Sequence, residues 1–162
     1  MDQPRRKIIR LQEYDYCEAG MYFITLCTHQ NAHLFWLSNQ AVLSPAGDMV
    51  AQQIHQLPQR FPDIRVDCYA VMPNHVHLLL WLRCRQPKPL SAVVQWFKIV
   101  TTNGYIRGVR QGLFPPYQDH LWQRSFYDHV IRTRNSLAQC REYILNNPEK
   151  WAQDRFYREN PL

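Results

Sequence analysis

Apolar positions along the chain follow two periods. The run Met21-Tyr-Phe-Ile-Thr-Leu-Cys27 is dense in β-branched and aromatic residues, which predicts a central strand, with Gly20 marking the turn before it. Residues 28–43 read as a connection, with Asn31 and Asn39 as turn residues and room for a short strand near 34–36. Ser44-Pro45 then opens a helix, Ser44 as N-cap and Pro45 at the first helical position. Val50, Ile54, Leu57 and Phe61 follow at helical spacing, and Pro58 and Pro62 limit its end. A second strand covers 64–71, the Met72-Pro73-Asn74 corner closes a hairpin, and a third strand covers 76–82. A second helix is expected over 91–106, with Leu90, Val93, Val94, Phe97 and Val100 inward and a basic outer surface from Lys98, Arg107 and Arg110. Residues 120–131 read as a last strand with room for a bulge, and Asn135 caps a third helix over 136–146, stopped by Pro148. Residues 149–162 read as a mixed, loosely packed tail.

The order strand, helix, strand, strand, helix, strand, helix predicts an α+β two-layer sandwich: an antiparallel sheet with helices packed mainly on one face. At 162 residues, with no repeat, low-complexity stretch or linker, a single domain is expected over 1–162.

The third strand carries His75-Val-His77. Side chains on a strand alternate between faces, so His75, His77, Leu79 and Trp81 share one face while Val76, Leu78, Leu80 and Leu82 share the other. Two imidazoles two residues apart stand side by side, within reach of one small cation. The apolar reverse face ties them to a core.

Composition then narrows the partners. Lys and Arg number 19 against 13 for Asp and Glu, a formal charge of +6, and there are nine Tyr and five Trp. Positive charge attracts polyanions and aromatic faces stack on unpaired bases, so the balance leans toward nucleic acid. The basic arm at 1–16 (Arg5, Arg6, Lys7), the loop carrying Arg83, Arg85 and Lys88, and the turn carrying Arg132 and Arg134 are candidates for DNA contact. Five cysteines without a C-x-x-C pair argue against a disulfide framework or a cysteine zinc site, and read as buried free thiols. No window approaches a membrane span and the N-terminus lacks the apolar segment of a signal peptide, so a cytoplasmic location is expected.

The third helix adds Tyr143 and Asn147, four apart and therefore on one helical face. If that helix crosses the sheet, Asn147 joins the two histidines as a third ligand for a divalent ion. Nitrogen plus oxygen donors suit Mg²⁺ or Mn²⁺, with zinc also compatible. Tyr143, one turn away, would face the metal's open side as a nucleophile. Tyr127 is a rival, since on a strand it shares a face with His129 and the pair could support the site or the DNA surface. His29, His33, His55 and His120 read as surface polar groups.

His75-Val-His77 preceded by Met72-Pro73-Asn74, with Tyr143-Ile-x-x-Asn147-Pro148 downstream, resembles the single-tyrosine HUH transposases. The block Trp122-Gln-x-x-Phe-Tyr-Asp-His-Val-Ile-Arg132 is similar to their REP-associated tyrosine transposase branch, as is Asn147, where other members carry Gln. The resemblance runs from about Tyr14 to Trp151. It implies a ferredoxin-like sandwich, a Mg²⁺ or Mn²⁺ site from His75, His77 and Asn147, and Tyr143 as nucleophile. It also implies cleavage and strand transfer of single-stranded DNA at REP-type hairpins through a 5′-phosphotyrosine, a nucleoid-associated setting, and a monomer with its site in cis, although relatives include dimers.

Two further readings fit the same residues. One is a non-catalytic single-stranded nucleic-acid-binding domain, which would bind without His75 or His77 and cleave nothing. The other is a replication-initiator-type nickase, against which the short single domain argues. A two-histidine phosphoesterase would need two separated H-x-[ST] motifs. This chain has one H-x-H, followed by Leu78.

Overall fold

A computed structural model describes residues 11–37 and 41–159. Arg5, Arg6 and Lys7, in the basic arm, lie outside the described residues.

The centre is a four-stranded sheet of β1 (Gly20–Cys27), β2 (Ile64–Val71), β3 (His75–Leu82) and β4 (Tyr127–Ile131), in the order β2-β3-β1-β4 with every pairing antiparallel. Tyr22, Ile24 and Leu26 of β1 and Val76, Leu78, Leu80 and Leu82 of β3 face α1 (Pro45–Arg60) and α2 (Leu90–Arg110) and form the main core with Val50, Ile54, Leu57, Val93 and Phe97. Ser44 Oγ accepts the Gly47 N–H at 3.1 Å and caps α1. The third helix, α3 (Arg134–Asn146), lies on the opposite face, where Ile144 packs with Ala70, Met72 and Leu79. The fold is α+β as expected, with two long helices sharing one face. The face that holds the histidines is covered by α3.

Several boundaries move for identifiable reasons. Helix α2 runs to Arg110 rather than 106, because Tyr105 and Gly108 are buried in its last turns and the Tyr105 hydroxyl donates to the Pro115 carbonyl at 2.9 Å. Helix α3 starts earlier than expected, capped by Thr133, whose Oγ1 accepts the Ser136 N–H at 3.1 Å. The last strand begins at Tyr127, not His120. Trp122 still forms an isolated bridge to Thr28, out of step with the β1–β4 register, while its indole Nε1 donates to Thr101 Oγ1 at 2.9 Å on α2. Lys98 Nζ holds the carbonyls of Gln123, Arg124 and Ser125.

The tail is not loose. A short 3₁₀ turn, Trp151–Gln153, buries Trp151, which packs near Trp36, His33, His75 and Tyr157; Phe156 is buried as well. His33 is thereby half-buried rather than a surface group, and burial lowers its pKa. The five cysteines are free thiols, but only Cys27 is buried, and Cys84 is exposed. No helix among the described residues is long and apolar enough to cross a membrane.

Candidate active site

The alternation of β3 brings His75 and His77 to the α3 face, both almost fully buried, with their Nε2 atoms 3.0 Å apart. Each ring is held at its other nitrogen. His75 Nδ1 lies 2.7 Å from Asn74 Oδ1, and His77 Nδ1 lies 2.8 Å from Thr25 Oγ1, which the β1–β3 register places directly opposite it. The Asn74 amide orientation is fixed because its Nδ2 donates to the Phe156 carbonyl at 3.0 Å. Its Oδ1 can therefore only accept, so His75 Nδ1 carries a hydrogen and Nε2 of the neutral ring presents a lone pair. A partner that fixes the tautomer through the outer nitrogen is the usual support of a ligating histidine.

Helix α3 and the tail complete the cluster. Tyr143 stands with its ring 5.2 Å from that of His77 and 6.0 Å from that of Phe23. Its hydroxyl donates to Asp154 Oδ2 at 3.1 Å. The same oxygen lies 3.7 Å from Nε2 of both His75 and His77. The Asp154 side chain is enclosed, and its Oδ1 accepts the Phe156 N–H at 2.6 Å. Asn147, at the end of α3, is buried, and neither atom of its amide has a hydrogen-bond partner. That amide is close enough to influence the ionisation of both Tyr143 and Asp154. A cavity of about 350 Å³ opens beside these groups, lined by Tyr143, Asn147, Asp154, Glu142, Lys150 and Gln153.

Burial sets the protonation states. It lowers the pKa of His75 well below its ordinary value, helped by His77, and lowers that of His77 also, with Asp154 opposing both. Both rings are therefore neutral near pH 7, the form that ligates metals. Burial alone would raise the Asp154 carboxyl, but the neighbouring His77 and His75 outweigh it and hold the group well below the carboxylate range. The Tyr143 phenol is pushed up to about 12, first by burial and then by the Asp154 charge.

The donor set fits a divalent metal. His75, His77 and Asp154 offer ligand atoms within 4.8 Å of one another, and the unpaired Asn147 amide is a further buried oxygen donor. Two imidazole nitrogens that face each other at 3.0 Å need a proton or a cation between them.

Of the other residues singled out from the sequence, Tyr127 shares the face but is separated from the histidines by Phe156. That ring lies 5.5 Å from Tyr127 and 4.8 Å from His75. His129 reaches Ser136 Oγ at 3.3 Å, away from the cluster. Arg83, Lys88, Arg132 and Arg134 are exposed. Arg85 is paired with Asp15, at 2.6 Å, and with Glu18. Sequence reasoning missed Asp154, Thr25 and the bridging role of Asn74. The signal available for Asp154 was the aromatic spacing around it, Trp151, Phe156 and Tyr157, which marks a packed rather than a solvated tail.

Residues 27–147 match the model of the family described as transposase, IS200-like. A Haemophilus influenzae protein that carries no functional name is 34% identical over 167 positions, covering 94% of this chain and 93% of its own length. A second H. influenzae protein, provisionally named a REP-associated tyrosine transposase, is 23% identical over 157 positions, covering 90% of this chain and 84% of its own. Among solved structures, a REP-associated tyrosine transposase bound to a REP hairpin superposes with a TM-score of 0.63 at 21% identity, over 90% of this chain and 76% of that one. A provisionally named transposase from Deinococcus radiodurans gives 0.53 at 18% identity, over 85% and 95%.

Proposed function

This chain belongs to the IS200-like transposase family, and we propose that it cleaves and rejoins single-stranded DNA at REP-type hairpins, with Tyr143 as the nucleophile. The observation that carries the reading is the convergence on Asp154 Oδ2: the Tyr143 hydroxyl at 3.1 Å and both histidine Nε2 atoms at 3.7 Å. A nucleophile, a proton acceptor and a pair of neutral ligand nitrogens are thus assembled in one chain, which favours a monomer acting in cis. REP-type hairpins are the substrate class because the similar REP-associated transposase was solved bound to one.

The chain's own groups set the course of the reaction. Tyr143 is protonated near pH 7, since its pKa stands at about 12. The phenol hydrogen already points at Asp154 Oδ2, so that oxygen takes the proton as the phenol oxygen attacks phosphorus. Asp154 is a weak base, so transfer accompanies bond formation rather than preceding it. The P–O3′ bond breaks, the proton passes to O3′, and a 5′-phosphotyrosine and a free 3′-hydroxyl result. The covalent link keeps the bond energy, so attack by a 3′-hydroxyl in reverse joins strands without ATP. A Mg²⁺ or Mn²⁺ ion held by His75, His77 and the Asn147 amide oxygen, with Asp154 as a further donor, would polarise the phosphate oxygens. Asn74 and Thr25 hold the two rings at their outer nitrogens. Arg83, Lys88, Arg132 and Arg134 are proposed DNA contacts, as are Arg5, Arg6 and Lys7.

The test is a labelled single-stranded hairpin library incubated with Mg²⁺ or Mn²⁺ and run on denaturing gels. A protein–DNA adduct lost in Tyr143→Phe and on adding EDTA is expected. An adduct that survives in Tyr143→Phe and disappears in Tyr127→Phe refutes the assignment of the nucleophile. Tight binding with no adduct supports a binding module instead.

A further inference from the structure

Arg155 follows Asp154 and precedes Phe156, two residues that contact the histidines directly. Its guanidinium carbon lies 4.7 Å from the centre of the Phe156 ring and 5.1 Å from that of Tyr127. The Phe156 ring also borders the active site, 4.8 Å from the His75 ring and 6.1 Å from that of His77. The side chain is exposed, and among the described residues it has no carboxylate partner and donates no hydrogen bond.

Several other cations are engaged elsewhere. Arg85 pairs with Asp15 and Glu18, Arg141 with Asp67, Lys98 with three carbonyls, and Arg158 with the Tyr157 carbonyl. Lys150 lines the cavity beside Tyr143, but it is a point charge on a flexible stem. Arg155 is different: the Phe156 and Tyr127 rings both lie against its guanidinium, whose N–H groups have no partner among the described residues. Its charge is felt at His75, His77 and Tyr143.

A phosphodiester in the site brings its negative charge beside the Asp154 carboxylate, and the next residue, Arg155, holds an exposed cation there. We propose that Arg155 is an anion subsite of the active site, binding the non-bridging oxygens of the phosphodiester that Tyr143 attacks. This rests on the strand-transfer reading and adds to it a residue that touches the reacting phosphate. Guanidinium suits the task because its parallel N–H groups match two phosphate oxygens at once. Phe156 and Tyr127 act as its platform, which gives the tyrosine of β4 a positioning task in place of a nucleophilic one.

The experiment compares the full chain with Arg155→Ala and Arg155→Lys on two hairpin substrates, one ordinary and one with an uncharged methylphosphonate at the scissile position. On the ordinary substrate Arg155→Ala should form adduct about 100-fold more slowly, the scale of losing one preorganised donor to a reacting oxyanion. Arg155→Lys should recover part of the loss. On the methylphosphonate substrate the wild type and Arg155→Ala should converge, because the charge that Arg155 meets is gone. Salt titration of binding gives a readout without chemistry: the slope of log K against log salt should fall by about 0.7 in Arg155→Ala, the value for one single-strand phosphate contact. An unchanged rate with an unchanged slope overturns the proposal, as does an equal loss on both substrates. If the wild type makes no adduct at all, strand transfer fails as the activity, and the salt slope alone still decides whether Arg155 holds a phosphate.

Discussion

Asn74 offers the sharpest separation of what holds the site from what the site does. Its side chain is fully buried and makes two hydrogen bonds, one from His75 Nδ1 at 2.7 Å and one to the Phe156 carbonyl at 3.0 Å. Asn74→Ala removes both and leaves a ring N–H and a carbonyl without partners. Each such orphan costs about 1–3 kcal/mol, so the chain should lose about 2–6 kcal/mol of stability, toward the lower end if water enters. The same change frees His75 to rotate or to switch tautomer. Loss of an outer partner of a ligating histidine lowers metal affinity about 10- to 100-fold. Asn74→Asp divides the two effects. A carboxylate still accepts from His75 Nδ1 but cannot donate to Phe156. Stability should fall, while Mn²⁺ affinity stays within a few-fold of the wild type. Urea denaturation without metal measures the first quantity and isothermal titration with Mn²⁺ the second. Wild-type Mn²⁺ affinity in Asn74→Ala would refute the reasoning that Asn74 sets the lone pair of a ligating ring. So would equal loss in both variants, since the carboxylate keeps the acceptor that the argument depends on.

Acidification should weaken the fold in two windows. His75 and His77 have folded pKa values below 6.5, so the unfolded chain binds more protons, and stability present above 6.5 is lost as pH falls below it. Asp154, also depressed, holds stability above the ordinary carboxyl value of 3.8 that disappears at lower pH. Urea midpoints measured from neutral to mildly acid pH should drop, and a flat profile between pH 7 and 5 would sink the claim that the imidazoles are buried neutral. The Tyr143 phenol should titrate near 12 rather than 10. Asp154→Asn should bring it down, though not to 10 because burial remains, and ¹³C-tyrosine NMR that shows identical titration in both proteins would reject the Asp154 contribution. Gly47→Ala places a Cβ against the Phe35 carbonyl oxygen, a backbone atom with little freedom, so it should cost about 1–3 kcal/mol in thermal unfolding. An unshifted melting temperature would mean that the α1 start can move away from Phe35.

The parts of the site that sequence exposes are those fixed by a short period. On β3 the two-residue repeat puts His75 and His77 opposite an unbroken Val76, Leu78, Leu80, Leu82 face, and a one-residue slip would turn those four out of the core. On α3 the four-residue spacing puts Tyr143 and Asn147 on one side, and the buried Ile144 turns that side toward the sheet. What sequence hides is set by contacts between distant positions. Thr25 serves His77 only because β1 and β3 pair in the register Thr25↔His77. The stretch before Tyr127 reads as strand, yet it runs out of the β1–β4 register, with Trp122 bridging Thr28 while its indole reaches Thr101 on α2. Asp154 has no period at all.

Asp154 reaches the histidines because Trp151 and Phe156 are buried on either side of it and because Asn74 and Phe156, 82 residues apart, share a hydrogen bond. The carboxylate that gathers the site is therefore delivered by tail packing and not by a helix or strand. Its placement is as secure as the burial of two aromatic rings makes it. This also explains why a tail that looks mixed in composition holds Asp154 and Arg155 side by side. Trp151, Phe156 and Tyr157 are spent on anchoring, and of the charged residues between them Asp154 is left to face the histidines and Arg155 the solvent.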